Sequence, residues 1–365
     1  MRVDLTLLGF QARFAVDSTR FESLLDLLAA ARTPSPAPGS PAGPDAAAEA
    51  SSTPAGTPDE AVLEARLGEA PLAPPPAPAR RVGRRLRAEP GRAWLLTPGD
   101  TPGLSLLVER EPGGLPVRVT GSYRQNRLVE LARARYKRMP VRSIHQNLLY
   151  FLVFFPAILV AEERGGVALH GAGVRARGRT WVFSGLGGSG KTSLALALFA
   201  DAETRLVADN IVLADGTGVW GVPELIRCDR ATRALLTPAI VSRLDAIDHG
   251  AEHGRTFFRV PGLGGRVPRV DAVVHVELGP AFELRAMTAV ECARRQLALD
   301  RLALEMVAYD QYVAGLALGG LTTLSPDERE GRLEDLLAET TCVRLTVPAG
   351  RPLSEVVDRL DRELR

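Results

Sequence analysis

Eight consecutive residues, Gly185-Leu186-Gly187-Gly188-Ser189-Gly190-Lys191-Thr192, carry the most specific chemistry in this 365-residue chain. They satisfy the pattern G-x-x-x-x-G-K-[ST] in full, the signature of a loop that wraps nucleoside triphosphate phosphates. Glycines let successive backbone N–H groups turn inward as an anion nest, and a following helix N-terminus adds its positive dipole end. Lys191 would neutralise charge on the β- and γ-phosphates, and the Thr192 hydroxyl would ligate Mg2+. The expected phosphate contacts are Gly185, Gly187, Gly188, Ser189, Gly190, Lys191, Thr192 and Ser193, with ATP as the ligand.

The local context fits. An apolar strand, Thr180–Phe183, is expected to enter the loop, and an apolar helix, Ser193–Ala200, to leave it. A second pattern overlaps the first: Gly185, Gly187 and Gly190 also spell G-x-G-x-x-G, and Asp209 follows Gly190 by nineteen residues. That is where a dinucleotide site places its ribose-binding acid. Two features weigh against this competitor. A dinucleotide site has no use for Lys-Thr after the last glycine, and its fingerprint usually opens the domain, whereas a hairpin precedes it here. Lysine usage points the same way, because Lys137 and Lys191 are the only lysines among 45 basic residues. A chain so biased towards Arg keeps a lysine where a compact point charge is needed.

These residues need elements to position them. Leu5–Val16 reads as β-prone with a turn at Gly9, and Ser18–Ala31 as an amphipathic helix. Residues 33–80 form a Pro/Ala-rich stretch that reads as a disordered linker, interrupted by a short helix near Glu60–Leu67. The run Arg80, Arg81, Arg84, Arg85 and Arg87 reads as its solvated end, or as a patch for an anionic partner. Strands at Ala93–Leu96 and Leu104–Glu109 and a helix over Asn126–Arg138 complete an N-terminal α+β region, with a boundary near Pro140. Four segments are therefore expected: 1–32, 33–80, 81–140, and an α/β domain over 141–365. In the last, the pattern predicts strands at Val167–Arg175, Arg179–Ser184, Arg205–Ala208, Ile211–Ala214, Ala272–Leu278 and Val343–Val347. Helices are expected at Glu291–Val307, Arg332–Glu339 and from Leu353.

Composition narrows the partners. A net charge of +2 gives no global argument for nucleic acid or membrane. Leu148–Ala161 is fourteen residues without a charge, interrupted by Pro156. A membrane span needs about twenty, so a buried helix is expected. Three widely spaced cysteines suit a reducing cytoplasm, and the N-terminus carries no signal-peptide pattern. His249 and His253 lie four apart, but lack the further ligands that a metal site needs. Nothing in the sequence opposes a homo-oligomer.

Around the loop the sequence resembles the HPr kinase/phosphorylase family, relatives of phosphoenolpyruvate carboxykinase. Three elements carry the resemblance in order: Leu169-His170-Gly171-Ala172-Gly173-Val174, the glycine loop, and Leu206-Val207-Ala208-Asp209-Asn210, where the family has Leu-Val-Ala-Asp-Asp. They cover residues 165–215. Spacing agrees, since an acid ends an apolar strand only eighteen residues after Lys191; this suits a compact kinase core rather than a motor ATPase. The resemblance implies a P-loop kinase fold and transfer of the γ-phosphate to a serine hydroxyl of a protein or peptide. It also implies that Asp209 is the base that takes the serine proton, with His170 assisting at the phosphates and Arg227 stabilising phosphoryl charge. Thr192, Asp209 and Asn210 would hold Mg2+, and Glu277 would be a further acid.

The chain departs from the family at Asn210, which stands for the second aspartate, and at Gly187-Gly188, where the family has Ser-Gly. Asparagine can still ligate through its carbonyl, with less electrostatic pull. The alternative is a nucleotide-binding regulatory protein with little or no transfer.

Overall fold

The computed structural model describes the chain except residues 8–9, 30–61, 78, 83, 97, 99–100, 111–116, 137–146, 202, 235, 253–254, 261–262, 264, 323–324, 349 and 365. The architecture is mixed α/β. Strands β1 (Arg2–Leu7), β2 (Phe10–Val16), β3 (Leu63–Gly68), β4 (Arg80–Val82), β5 (Leu86–Glu89), β6 (Arg92–Leu96), β7 (Leu104–Arg110) and β8 (Val117–Tyr123) form one sheet. Their order is β1-β2-β3-β8-β7-β6-β5-β4. Period-two alternation builds its buried face: Phe10, Ala12, Phe14 and Val16 point inward from β2, and Leu63, Ala65 and Leu67 from β3.

Strand β3 corrects the short helix near Glu60–Leu67 and the linker reading over Leu63–Gly68, while residues 33–61 of that stretch lie outside the described residues. It lies inside the sheet, parallel to both β2 and β8. Leu63-Glu64-Ala65-Arg66-Leu67 alternates as a strand should, but its residues are individually good helix formers. The non-local pairing decides the outcome. Arg80, Arg81, Arg84 and Arg85 are exposed, as a solvated run should be, but Arg80, Arg81 and Arg87 belong to β4 and β5 at the sheet edge rather than to a linker. Charge on such strands discourages edge-to-edge pairing with another chain. The expected helix is present as Arg127–Tyr136; Pro140 lies outside the described residues.

The apolar run opens with a π-helical turn, Tyr150–Phe154, and continues as the helix Phe155–Glu163. The Phe155 N–H reaches back five residues to the Tyr150 carbonyl. Pro156, which follows, has no N–H for the carbonyl four residues back. This segment joins a core shared with Phe14, Leu67 and Val119 of the first sheet, and with Met306, Tyr309 and Tyr312 of the helix Leu304–Ala317. Its approach to the sheet requires Gly121, since a Cβ there would lie 2.6 Å from Leu152 Cδ2. No helix among the described residues is long and apolar enough to cross a membrane.

The rest of the chain supplies β9 (Val167–His170), β10 (Ala172–Ala176), β11 (Arg179–Ser184), β12 (Arg205–Ala208), β13 (Ile211–Ala214), β14 (Val219–Gly221), β15 (Ile226–Cys228), β16 (Asp245–Glu252), β17 (Arg255–Arg259), β18 (Ala272–Gly279), β19 (Glu283–Ala286) and β20 (Thr341–Pro348). Six of these form a mixed sheet ordered β12-β10-β11-β18-β20-β19. Two three-stranded sheets, β14-β13-β9 and β15-β17-β16, flank it in the chain's connectivity. Trp181 and Phe183 pack on one face with Leu194 and Leu198 of the helix Lys191–Leu198 and with Val357 and Leu360 of the helix Leu353–Glu363. Val182 packs on the other face with Cys292 of the helix Ala289–Asp300 and with Leu333 and Leu337 of the helix Pro326–Ala338.

Two further expectations change. The single strand over Val167–Arg175 is divided at Gly171, which separates β9 from β10; a Cβ there would meet the Phe183 carbonyl oxygen at 2.6 Å. The single helix over Glu291–Val307 is two helices, broken at Arg301–Ala303. His249 lies in β16, and His253 lies outside the described residues.

Candidate functional site

Register brings the chemistry-bearing residues to one end of the six-stranded sheet. Ala172 pairs with Phe183 and Gly173 with Ala208, so the β9–β10 break, the end of β11 and the end of β12 lie side by side. His170 pairs with Ile211, and the Gly171 N–H donates to the Asn210 carbonyl at 3.0 Å. The glycine loop leaves β11, and Asp209-Asn210 leaves β12. These are the segments that the sequence singled out, and they are adjacent.

The loop turns on glycines at two places where no other residue fits. Gly185 has φ +147°, and a Cβ there would lie 2.5 Å from the Val276 carbonyl oxygen. Gly190, at φ +98°, caps the helix Lys191–Leu198, whose first-turn N–H groups have no intrahelical partners. The Ser189 hydroxyl is buried without a hydrogen-bond partner. Lys191 is buried, and its Nζ donates to the carbonyls of Gly185 at 2.8 Å and Leu186 at 3.0 Å. An ammonium has three donors, which leaves one for an anion. Burial lowers the Lys191 pKa, while Asp209 and Glu305 act to raise it. The Ser193 hydroxyl, expected at the phosphates, faces Thr232 Oγ1 at 3.3 Å instead. Its backbone N–H, in the first turn, is what it can offer an anion.

The Thr192 hydroxyl donates to Asp209 Oδ1 at 2.6 Å. Burial raises the Asp209 pKa; the Thr192 hydrogen bond, the charge and backbone N–H of Arg227, and Lys191 act against that rise. Arg227, on β15, is therefore brought near Asp209. His170 is half-buried, its Nδ1 has no partner, and burial with the Lys191 charge lowers its pKa to about 4. Without a bound anion this favours the neutral ring near pH 7, which can orient groups at the loop. Glu277 lines a different surface and pairs with Arg295, not with Asp209.

Four acidic and phenolic groups escaped the sequence reading. Asn210 Nδ2 donates to the Tyr150 hydroxyl at 3.2 Å, and that hydroxyl donates to Glu224 Oε2. Burial pushes Glu224 up to about 7, with Arg227 opposing. The charge of Glu305, on the helix Leu304–Ala317, acts on Tyr150, His170, Lys191 and Glu224. Asp300 accepts from the His170 N–H at 3.2 Å and from Gln296 Nε2 at 2.7 Å. Two of these left signals: Glu224 sits inside Pro223-Glu224-Leu225-Ile226-Arg227, and Tyr150 is the one residue with a polar side-chain group in its apolar run. Glu305 and Asp300 left none, because helix packing alone brings them in.

Asp300 carries a pH consequence. Burial raises it from 3.8 to about 7, so the folded chain keeps this proton where the unfolded chain has lost it. Its contribution to stability therefore falls as pH rises from about 4 to about 7 and is flat above. Asp300→Asn removes the effect. The stability gap between variant and wild type is expected to move in the variant's favour across that range, by on the order of 2 kcal/mol. Urea unfolding at pH 4.5, 6 and 8 measures it; a constant gap would contradict the assignment.

A cavity of about 560 Å3 opens on the β18 side of the loop. Gly185–Ser189 form one wall; Leu278, Leu299 and Leu302 make it apolar, and Arg295 and Glu277 edge it. No group of three or more His, Cys, Asp and Glu side chains placed to hold a metal occurs among the described residues. Thr192, Asp209 and Asn210 offer oxygens only. That set suits Mg2+, which is usually held by one or two carboxylates plus substrate phosphates.

The chain matches no family model, and no curated protein matches it significantly.

Proposed function

We propose that this chain is an ATP-dependent kinase with a P-loop core of the HPr kinase/phosphoenolpyruvate carboxykinase type, transferring the γ-phosphate to a serine hydroxyl of a protein or peptide. The observation that carries the reading is the 2.6 Å contact between Thr192 Oγ1 and Asp209 Oδ1 at the mouth of the glycine loop. It joins a Mg2+-ligating hydroxyl of the motif to the carboxylate that the chemistry requires.

In this reading the loop N–H groups, the Ser189 hydroxyl and Lys191 hold the triphosphate. The nucleoside lies in the cavity beside Gly185–Ser189, where the planar guanidinium of Arg295 and the leucines suit a base. Thr192, Asp209 and the Asn210 carbonyl would hold Mg2+, which offsets charge on the β- and γ-phosphates. Asp209 accepts the proton of the serine hydroxyl as its oxygen bonds to the γ-phosphorus. The bond from that phosphorus to the β–γ bridging oxygen breaks, and ADP leaves with the electron pair. Arg227 lies against the carboxylate and supplies positive charge where the phosphoryl group passes. His170 orients groups at the loop.

The test is calorimetric titration with MgATP, followed by transfer of labelled γ-phosphate to serine-bearing acceptors. No MgATP binding would overturn the proposal. Tight binding with no transfer to any acceptor would favour the regulatory reading that Asn210 motivates.

A further inference from the structure

Asn210, Tyr150 and Glu224 come from three separate segments and meet in one hydrogen-bonded line. Tyr150 is fully enclosed, held at the start of the π-helical turn by packing against Phe154 and Phe155. Such turns recur at functional sites because they re-aim a side chain within a helix. Proton accounting along the line is restrictive. A phenol has one proton to give. Tyr150 gives it to Glu224, so the atom that meets the Tyr150 oxygen from the other side must itself be a donor. The amide of asparagine can donate there; an ionised aspartate cannot.

We propose that Tyr150 and Glu224 are positioning residues that fix the Asn210 amide, so that its carbonyl oxygen joins the Thr192 hydroxyl and Asp209 carboxylate as a ligand for a divalent cation. The assignment rests on the kinase reading above. With the amide nitrogen committed to Tyr150, Oδ1 is the atom left to serve as an acceptor. The line also ends within the charge field of the site, since Arg227 acts on Asp209, Glu224 and Tyr150 alike. The asparagine is thus matched to its neighbours while Glu224 is ionised, and an aspartate there would leave two carboxylates facing one phenolic proton.

The experiment measures ATP affinity of the full chain by calorimetry, once with Mg2+ and once with EDTA. The ratio of the two reports the metal's contribution. Tyr150→Phe deletes only one oxygen and should lower that ratio by about tenfold, the usual cost of losing support behind a ligand. Its affinity in EDTA should not move. Above pH 8, where Glu224 is ionised, Asn210→Asp should lower the ratio similarly, because two carboxylates then compete for one phenolic proton. Glu224→Gln alone should change it by less than about threefold, since the amide oxygen can still accept. Combining Glu224→Gln with Asn210→Asp should restore the wild-type ratio. The line then runs in reverse, from Gln to Tyr150 to Asp. Circular dichroism melts confirm that each variant is folded.

Equal effects of Asn210→Asp in both backgrounds, or an unchanged ratio in Tyr150→Phe, would overturn the assignment while leaving the kinase reading intact. A folded wild type that binds no ATP would overturn both.

Discussion

Asp209→Asn is expected to lower phosphate transfer by about 10²–10⁴-fold, the usual contribution of a positioned general base. MgATP affinity should fall by less, about 10–100-fold, because Mg2+ loses a charged ligand while its other contacts remain. The substitution keeps the side chain's shape and one carbonyl oxygen, so the Thr192 hydroxyl retains its acceptor. The loop and Lys191 continue to hold the phosphates. What disappears is the second oxygen with its charge, and with it the capacity to accept a proton. Burial raises the Asp209 pKa, which brings its basicity closer to that of a useful acceptor at neutral pH. Arg227 and Lys191 limit the rise and keep the ionised form accessible. Single-turnover transfer and calorimetric binding on the same preparations separate rate from affinity. Transfer at the wild-type rate would remove Asp209 from the base role.

Lys191→Ala is expected to weaken MgATP binding by about 10–100-fold, from the loss of a charge-assisted hydrogen bond worth about 1.5–3 kcal/mol. The geometry adds a second, smaller effect. Because Nζ braces the carbonyls of Gly185 and Leu186, the variant should also lose about 1 kcal/mol of stability. The loop is thus held partly by its lysine and not by backbone alone. Lys191→Arg should not rescue binding, since a planar fork does not fit the space of a compact ammonium. Calorimetry and urea unfolding measure the two effects separately. Unchanged ATP affinity in Lys191→Ala would overturn the phosphate-loop assignment.

The parts of the site legible in the sequence are those set by local spacing. The glycine loop is specified by positive-φ turns and a close approach to Val276, demands that only glycine meets. Asp209 is visible because the apolar strand before it ends abruptly. Long-range pairing hid the rest. Glu305 sits on a helix nearly a hundred residues beyond Asp209, and no local pattern marks it. Strand β3 was obscured by helix-forming residues inside a Pro/Ala-rich stretch, and is a strand because β2 and β8 flank it. Asn210 reads in the sequence as a weakened ligand. Its bond to Tyr150 shows that its donor face matters too. The π-helical turn that presents Tyr150 has no sequence signature beyond a proline in an apolar run.

The core that joins Phe14 and Val119 to Tyr309 and Tyr312 through the Leu148–Ala161 segment has a consequence for how the molecule melts. The N-terminal sheet and the helix Leu304–Ala317 cover the same apolar segment, so neither half can lose its partner without wetting it. A chain begun near residue 141 would lose the strands β3 and β8 that pack on the turn Tyr150–Phe154, and would expose Leu152, which now lies against Gly121. It should aggregate rather than behave as an independent domain. The intact chain should unfold in one cooperative thermal transition, with Tyr150 and the phosphate loop failing together with the first sheet. Loss of order at the N-terminus would then reach the phosphate chemistry as a change in the population of competent molecules, without any contact between that terminus and the nucleotide.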